Sequence, residues 1–234
     1  MSEHAIGAAQ IPHGEGINLD HVAHWLPDLE AGHRALTGLG FITTPYSEQS
    51  NRPNPDAPAV PAGAANRCVM LQEGYLEFLT PIGDTDISRE LRAGIERYVG
   101  LHLMAFGAAD AEARHRRFES EGRPLRPLVR LSREIERETG ERSTARFSVS
   151  RTAPGTMAEG RVQTLTHHTP ELLWQPRYVE HPNGITGLRA LFVVVSDLAE
   201  ATARYRDYLR CDPQASGPLQ RFPLDRGAIV LLAS

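Results

Sequence analysis

The chain of 234 residues contains no lysine. All 25 of its basic residues are arginine, set against 29 acidic ones, for a net charge of −4. A balance near neutrality, on the acidic side, argues against a nucleic-acid-binding role. Cysteine is almost missing: Cys68 and Cys211 form no disulfide framework and no metal or redox motif, so a reducing cytoplasm is the expected compartment. No apolar run reaches the roughly 20 residues needed to span a bilayer. The first sixteen residues lack the basic and apolar regions of a secretion signal. These absences lead to the expectation of a soluble, cytoplasmic protein. What is present is 41% hydrophobic residues with 20 Gly and 17 Pro. That composition suits a loop-rich globular fold of one large or two small domains, with ample core, better than a helical bundle.

The clearest local pattern is in residues 17–41, INLDHVAHWLPDLEAGHRALTGLGF. Leu19, His21, Ala23 and Trp25 share one parity of a strand; Asp20, Val22, His24 and Leu26 share the other. A turn at Pro27-Asp28 leads into a helix with Asp28 as N-cap, Glu30 in the first turn and Gly40 at its end. Leu29, Ala35, Leu36 and Leu39 suit its buried face.

This plan returns twice. LHLMAF at 101–106 reads as a strand and ADAEARHRRFESEG at 109–122 as its helix. Setting Asp110 on Asp28 also sets Gly122 on Gly40, since both gaps are 12 (122−110 and 40−28). The second return, GLRALFVVVSDLAEATARYRDYLR at 187–210, again has an aspartate, Asp197, between strand and helix. Between the first two units, residues 43–65 read as a long Pro/Asn/Ala loop of the kind that often covers a site. Residues 66–81 read as two strands turning at Glu73-Gly74, with Tyr75, Glu77 and Leu79 on one face of the second. Residues 87–98 read as a connecting helix. Later, the charged run at 132–141 suggests a solvated hairpin tip or short helix, and 162–175 a long strand broken by Pro170. After the third helix only enough chain remains for about two strands. Each unit otherwise reads β-α-β-β-β, a module whose small curved sheet must pair with another to cover its apolar face. The expected organisation is a flexible arm at 1–16, paired modules within 17–180 (17–81 and 99–176), and a third, incomplete module at 181–234. Its short end suggests a missing fourth module or a degenerate third one. An unmatched sheet edge there points to a possible homodimer.

The residues LDHVAHWLPDLEA with LGF at 39–41, ANRCVMLQEGYLEFL at 65–79 and THHTPELLWQPRYVEHPNG at 166–184 carry a resemblance. The chain resembles the vicinal oxygen chelate superfamily, and within it the glyoxalase-like domain proteins, from about residue 17 to its end. The resemblance implies an α+β fold of repeated βαβββ modules forming curved mixed sheets, glyoxalase/bleomycin-resistance/dihydroxybiphenyl-dioxygenase-like. In metal-using members, each paired module offers one ligand from its first strand and one from its last. Carried onto this chain, the metal ligands are His21 and Glu77, then His102 and Glu171, in the order of glyoxalase I. Glu77 and Glu171 are then the catalytic carboxylates. Tyr75, Arg67, His167 and Trp174 are candidates for substrate contact.

Two departures from that pattern are visible. His102 lies eight residues before Asp110, whereas His21 lies seven before Asp28 (110−102 and 28−21). A one-residue slip reverses the facing of a strand residue unless a bulge intervenes. Glu171 follows Pro170, which interrupts a ladder. His167 shares parity with Glu171 and is a rival to His102 as ligand, and the third unit has Ala190 in place of His21.

Imidazole and carboxylate ligands suit a divalent Zn, Ni, Fe(II), Co or Mn ion. Two His and two Glu leave positions open for a bidentate substrate, whose carbonyl the ion polarises while a carboxylate moves protons. The leading expectation is therefore a metal-dependent lyase or isomerase acting on a small oxygenated metabolite. If only His21, His102 and Glu171 bind, the set suits an Fe(II) extradiol-type dioxygenase. A metal-free small-molecule-binding protein of the bleomycin-resistance kind is the third reading. No nucleic-acid or membrane partner is expected.

Overall fold

A computed structural model of the chain describes residues 3–52 and 58–234. After a short helix α1 (Glu3–Ala8), the first module runs β1 (Ile17–Trp25), α2 (Leu29–Gly38), β2 (Ser47–Arg52), β3 (Val60–Met70) and β4 (Tyr75–Pro81). Helix α3 (Asp86–Arg97) leads to the second: β5 (Gly100–Ala108), α4 (Ala111–Ser120), β6 (Val129–Glu136), β7 (Arg142–Arg151) and β8 (Arg161–His167). A 3-10 turn at Pro170–Leu172 and a one-turn helix α5 (Pro176–Val179) precede the third: β9 (Leu191–Val195), α6 (Leu198–Leu209), β10 (Gln214–Ser216), β11 (Leu219–Pro223) and β12 (Ala228–Ala233).

The three aspartates between strand and helix do one job. Asp28 accepts the backbone N–H groups of Glu30 and Ala31 at 2.8 and 3.0 Å, Asp110 that of Ala113 at 2.8 Å, and Asp197 that of Glu200 at 2.9 Å. Each satisfies donors that a helix start leaves open. The reversal lets the first strand of each module pair in parallel with its last: β1 with β4, β5 with β8, β9 with β12. Modules one and two then close on each other in the order β1-β4-β3-β2-β6-β7-β8-β5, an eight-stranded barrel. The third module's sheet has the order β10-β11-β12-β9, the same path as the first module. Three strands follow its helix, where the sequence led us to expect about two, because very short segments suffice. Its Val193, Tyr205, Tyr208, Phe222 and Ile229 form one buried cluster with Leu19, Met104 and Phe106 of β1 and β5.

Two further expectations are corrected. Residues 43–65 are not one long loop, since β2 and the start of β3 occupy much of the stretch; the remainder at 53–57 lies outside the described residues. The N-terminal segment is not a loose arm over the residues described. Ile6 and Gln10 are buried. The Gln10 amide donates to the Gln72 carbonyl at 2.8 Å and accepts from the Gly74 N–H at 3.1 Å and from Arg226 at 2.6 Å. A buried amide so fully satisfied anchors its segment. The charged run at 132–141 extends the β6–β7 hairpin to its tip. Among the described residues no helix is long and apolar enough to cross a membrane.

The turn between β3 and β4 depends on Gly74, with φ of +77°; a Cβ there would lie 2.6 Å from the Asp20 carbonyl oxygen. Gly122, after α4, has φ of +73° with open space around it. Gly122→Ala should therefore lose about 1 kcal/mol through backbone strain alone. Gly74→Ala should lose more, because the backbone of β1 must also shift. Urea unfolding of the two variants checks this, and equal midpoints would contradict it.

Candidate functional site

Alternation along the barrel strands turns every second side chain inward. On β4 these are Tyr75, Glu77 and Leu79, as the sequence suggested. With His21 and Leu103, Leu131 and Arg133, Phe147, Val149 and Arg151, and Gln163 and Leu165, they line a cavity of about 60 Å³. Glu77 is 7% exposed. Its Oε1 accepts N–H bonds from Asn66 at 2.7 Å and Gln49 at 3.1 Å, and its Oε2 lies 3.7 Å from His21 Nε2. The His21 ring stacks on Tyr75 with centroids 4.3 Å apart.

Behind His21 stands a buried carboxylate. Asp20 Oδ1 is 2.6 Å from His21 Nδ1, and its two oxygens are 3.2 and 3.0 Å from His167 Nε2. Burial would raise the Asp20 pKa, yet the imidazoles of His167 and His21 outweigh it and hold the carboxyl well below its usual range. An ionised Asp20 can only accept, so His21 Nδ1–H donates to it. In neutral His21 the Nε2 lone pair then faces Glu77 and the cavity. Tyr75 is kept protonated: burial, then Asp20 and Glu77, raise its pKa well above the usual value. Burial likewise pushes the Cys68 thiol up to about 12, so it is no nucleophile at neutral pH.

The other predicted ligands lie elsewhere. His102 is buried, but its ring is stacked between Trp25 and Tyr98, with centroids 4.5 and 4.0 Å away, and its Nε2 is 2.8 Å from the Tyr98 carbonyl. The register explains this. The module offset is 82 (110−28), so His21 corresponds to Leu103, which lines the cavity. Glu77 pairs with Ala23 and Gln163 with Ala105, the same offset, so Glu77 corresponds to Gln163. Where the first module presents imidazole and carboxylate, the second presents an alkyl group and an amide. Glu171 sits in the 3-10 turn after β8, its backbone packed close to Gly7. The two-His, two-Glu centre is thus not assembled, nor is the set His21, His102 and Glu171. Among the described residues no group of three or more His, Cys, Asp or Glu side chains is placed to hold a metal ion. A four-ligand divalent site does not fit these residues.

Of the expected substrate contacts, Tyr75 lines the cavity. His167 is committed to Asp20. Trp174 is fully buried behind them, its indole N–H donating to the Leu71 carbonyl at 3.0 Å. Arg67 points away, paired with Glu30 at 2.6 Å and bonded to the Thr44 carbonyl at 3.0 Å.

Sequence reasoning missed Asp20, Asn66, Gln49, Arg133, Arg151 and Gln163. Simple alternation put Asp20 opposite His21, but the β1–β5 register shifts between Leu19 and His21, and both are buried. A carboxylate in a strand that also carries Ile17, Leu19, Val22 and Ala23 was the available signal, since burial requires a partner. Arg133 was hidden in a charged run read as solvated. Its Nη1 donates to Asn66 Oδ1 at 3.1 Å, so the Asn66 amide bridges Arg133 to Glu77. Arg151 is pushed down to about 9 by burial and by neighbouring Arg161 and Arg126, which leaves it cationic at neutral pH.

Residues 19–209 match the family described as glyoxalase-like domain. No curated protein matches the chain in sequence. A hypothetical protein from Staphylococcus aureus is similar in structure over 93% of this chain and 86% of that one, at 11% identity and a TM-score of 0.70. A mutant of 4-hydroxymandelate synthase from Streptomyces coelicolor is similar over 94% of this chain and 63% of that one, at 14% identity and a TM-score of 0.50. Methylmalonyl-CoA epimerase from the same organism aligns over 66% of this chain and 96% of that one, at 18% identity and a TM-score of 0.45. At such identities the first two likenesses speak to the fold alone. With most of its length matched and two βαβββ modules closed into one barrel, the chain belongs to the glyoxalase-like domain family of the vicinal oxygen chelate superfamily.

Proposed function

We propose that the chain is an enzyme that moves a proton on a small oxygenated molecule held in the barrel cavity, as an isomerase or lyase. His21 is the base, Asp20 is its positioning residue, and Glu77 is the second proton-carrying group. The observation that carries this reading is His21 itself. Its Nδ1 is bound by Asp20 at 2.6 Å, and its Nε2 is turned toward Glu77 Oε2 at 3.7 Å. In the step we envisage, Nε2 takes a proton from the carbon next to a carbonyl, the C–H electron pair forms the carbon–carbon double bond, and the carbonyl π pair moves onto oxygen as an enolate. Reprotonation of carbon or loss of a β-substituent then completes an isomerisation or an elimination. The metal-dependent form of this chemistry, which the resemblance implies, would have His21, Glu77 and the amide oxygen of Gln163 to rest on, since Leu103 offers no ligand at the fourth matching position.

The test uses small aldehydes, ketones and oxo acids in D₂O, with proton exchange next to the carbonyl followed by NMR. Exchange should occur, survive dialysis against a chelator, and fall by about 10²- to 10⁴-fold in His21→Gln. Loss of exchange on chelation, with stoichiometric metal in the wild type and none in His21→Gln, would restore the metal centre. Absence of exchange with every compound that binds would leave a binding protein.

Asp20 makes a separate prediction. Its folded pKa is depressed, so its contribution to stability is present above the unfolded value of about 4 and is lost as the pH falls below it. Asp20→Asn should be less stable than the wild type at pH 7, and the difference should shrink as the pH falls below about 4. A difference that does not change with pH would refute the ionised, doubly bonded state.

We further propose self-association through the third module's sheet, where Phe192 and Val194 on β9 are 65% and 60% exposed. Light scattering on a sizing column should give the mass of a dimer; a strictly monomeric elution at high concentration would contradict it.

A further inference from the structure

The cavity holds more positive charge than its own carboxylate answers. Three guanidinium groups line it: Arg133, Arg151 and Arg161. Arg161 is answered from outside the cavity by Glu90, at 2.7 Å, and Glu90 also pairs with Arg126 at 2.9 Å. Arg133 donates to a neutral amide oxygen, that of Asn66. Arg151 makes no ion pair with any of these carboxylates. Among the described residues Glu77 is the one carboxylate on the cavity wall, and two amide N–H groups already occupy its Oε1.

The polar atoms left over are specific. Arg133 Nε and Arg151 Nε are buried donors without a hydrogen-bond partner among the described residues, and Gln163 Oε1 is a buried acceptor without one. Gln163 is 7% exposed. All three residues line the same cavity. Buried donors and acceptors of this kind are costly unless something fills them. Two guanidinium groups call for an anion, and their planar donor geometry suits a carboxylate. The lone amide oxygen calls for a hydroxyl donor. Because Gln163 replaces the carboxylate that symmetry with Glu77 would supply, it does not repel an anion bound beside it.

We infer that the cavity ligand is a small hydroxy acid or the enol form of an oxo acid, its carboxylate held by Arg133 and Arg151 and its hydroxyl donating to Gln163. This rests on the reading of the cavity as the substrate site and adds the substrate class. Recognition of the carboxylate places charge beside an adjacent C–H or carbonyl, within the volume where His21 and Glu77 meet.

Calorimetry on the full chain tests it with glycolate and lactate, their methyl esters, and inorganic phosphate. The acids should bind, and their esters at least about tenfold more weakly. Arg151→Gln and Arg133→Gln should each weaken acid binding by about tenfold or more. Since Arg151→Gln removes a half-buried cation with no ion pair among the described residues, the ligand-free variant should unfold at the wild-type temperature or above, which a merely structural role would not produce. Should that variant fail to fold, the acid-to-ester ratio on the wild type and the Arg133→Gln variant decide the matter. Esters binding as well as acids, phosphate binding in preference to both acids, or unchanged affinity in the arginine variants would overturn the inference. His21→Gln should keep acid binding while losing proton exchange. Binding of these acids together with a failure of the oxo acids to exchange in the wild type therefore defeats the catalytic reading and leaves the substrate class standing.

Discussion

A buried, ionised carboxylate constrains much of this molecule. Asp20 is fully buried on the first strand of the barrel, and an unsatisfied charge there would be prohibitive. His21 and His167, from opposite modules, meet that demand together. The surrounding backbone makes room for it. A Cβ at Gly74 would strike the Asp20 carbonyl, and one at Gly107 would lie 3.1 Å from its Oδ2. The same neighbourhood ties in distant segments, because Gly74 donates to Gln10 and Gln10 accepts from Arg226. The N-terminal helix, both barrel modules and the third unit thus converge on the segment that orients His21.

The two halves of the barrel have the same topology and different chemistry. Register equivalence sets His21 against Leu103 and Glu77 against Gln163. One half carries the groups able to take and return a proton. The other supplies apolar wall, an amide and the arginines of β6 and β7. A symmetric four-ligand cradle would suit an ion. An asymmetric pocket with imidazole and carboxylate on one side and guanidinium groups on the other suits an oriented anionic molecule. Arg133 joins the two sides through Asn66, so the charge of the far wall reaches the carboxylate of the near one.

The third unit repeats the first module's strand order without a fourth module in the described chain to face it. It buries one side against β1, the strand that carries Asp20 and His21, and β5. Its free side keeps Phe192 and Val194 in solvent. The module without a counterpart of His21 is thus packed against the one that carries it.

Much of the fold was legible in the chain because it is written in local chemistry. Asp28, Asp110 and Asp197 mark three helix starts at a recurring distance, and alternation on β4 puts Tyr75, Glu77 and Leu79 on one face. Part of the site followed from the same rules, in His21 and Glu77. The sequence also held the warning about His102, one residue out of register, and about Glu171 after a proline. What it could not express was partnership between strands far apart along the chain. A bulge opposite β5 brings Asp20 to the same buried side as His21. Closure of the barrel brings His167 to Asp20 across 147 residues, and Arg133 to Asn66 across 67. Local propensity determined the modules. Inter-strand register, a property of the closed barrel, decided which side chains share its cavity.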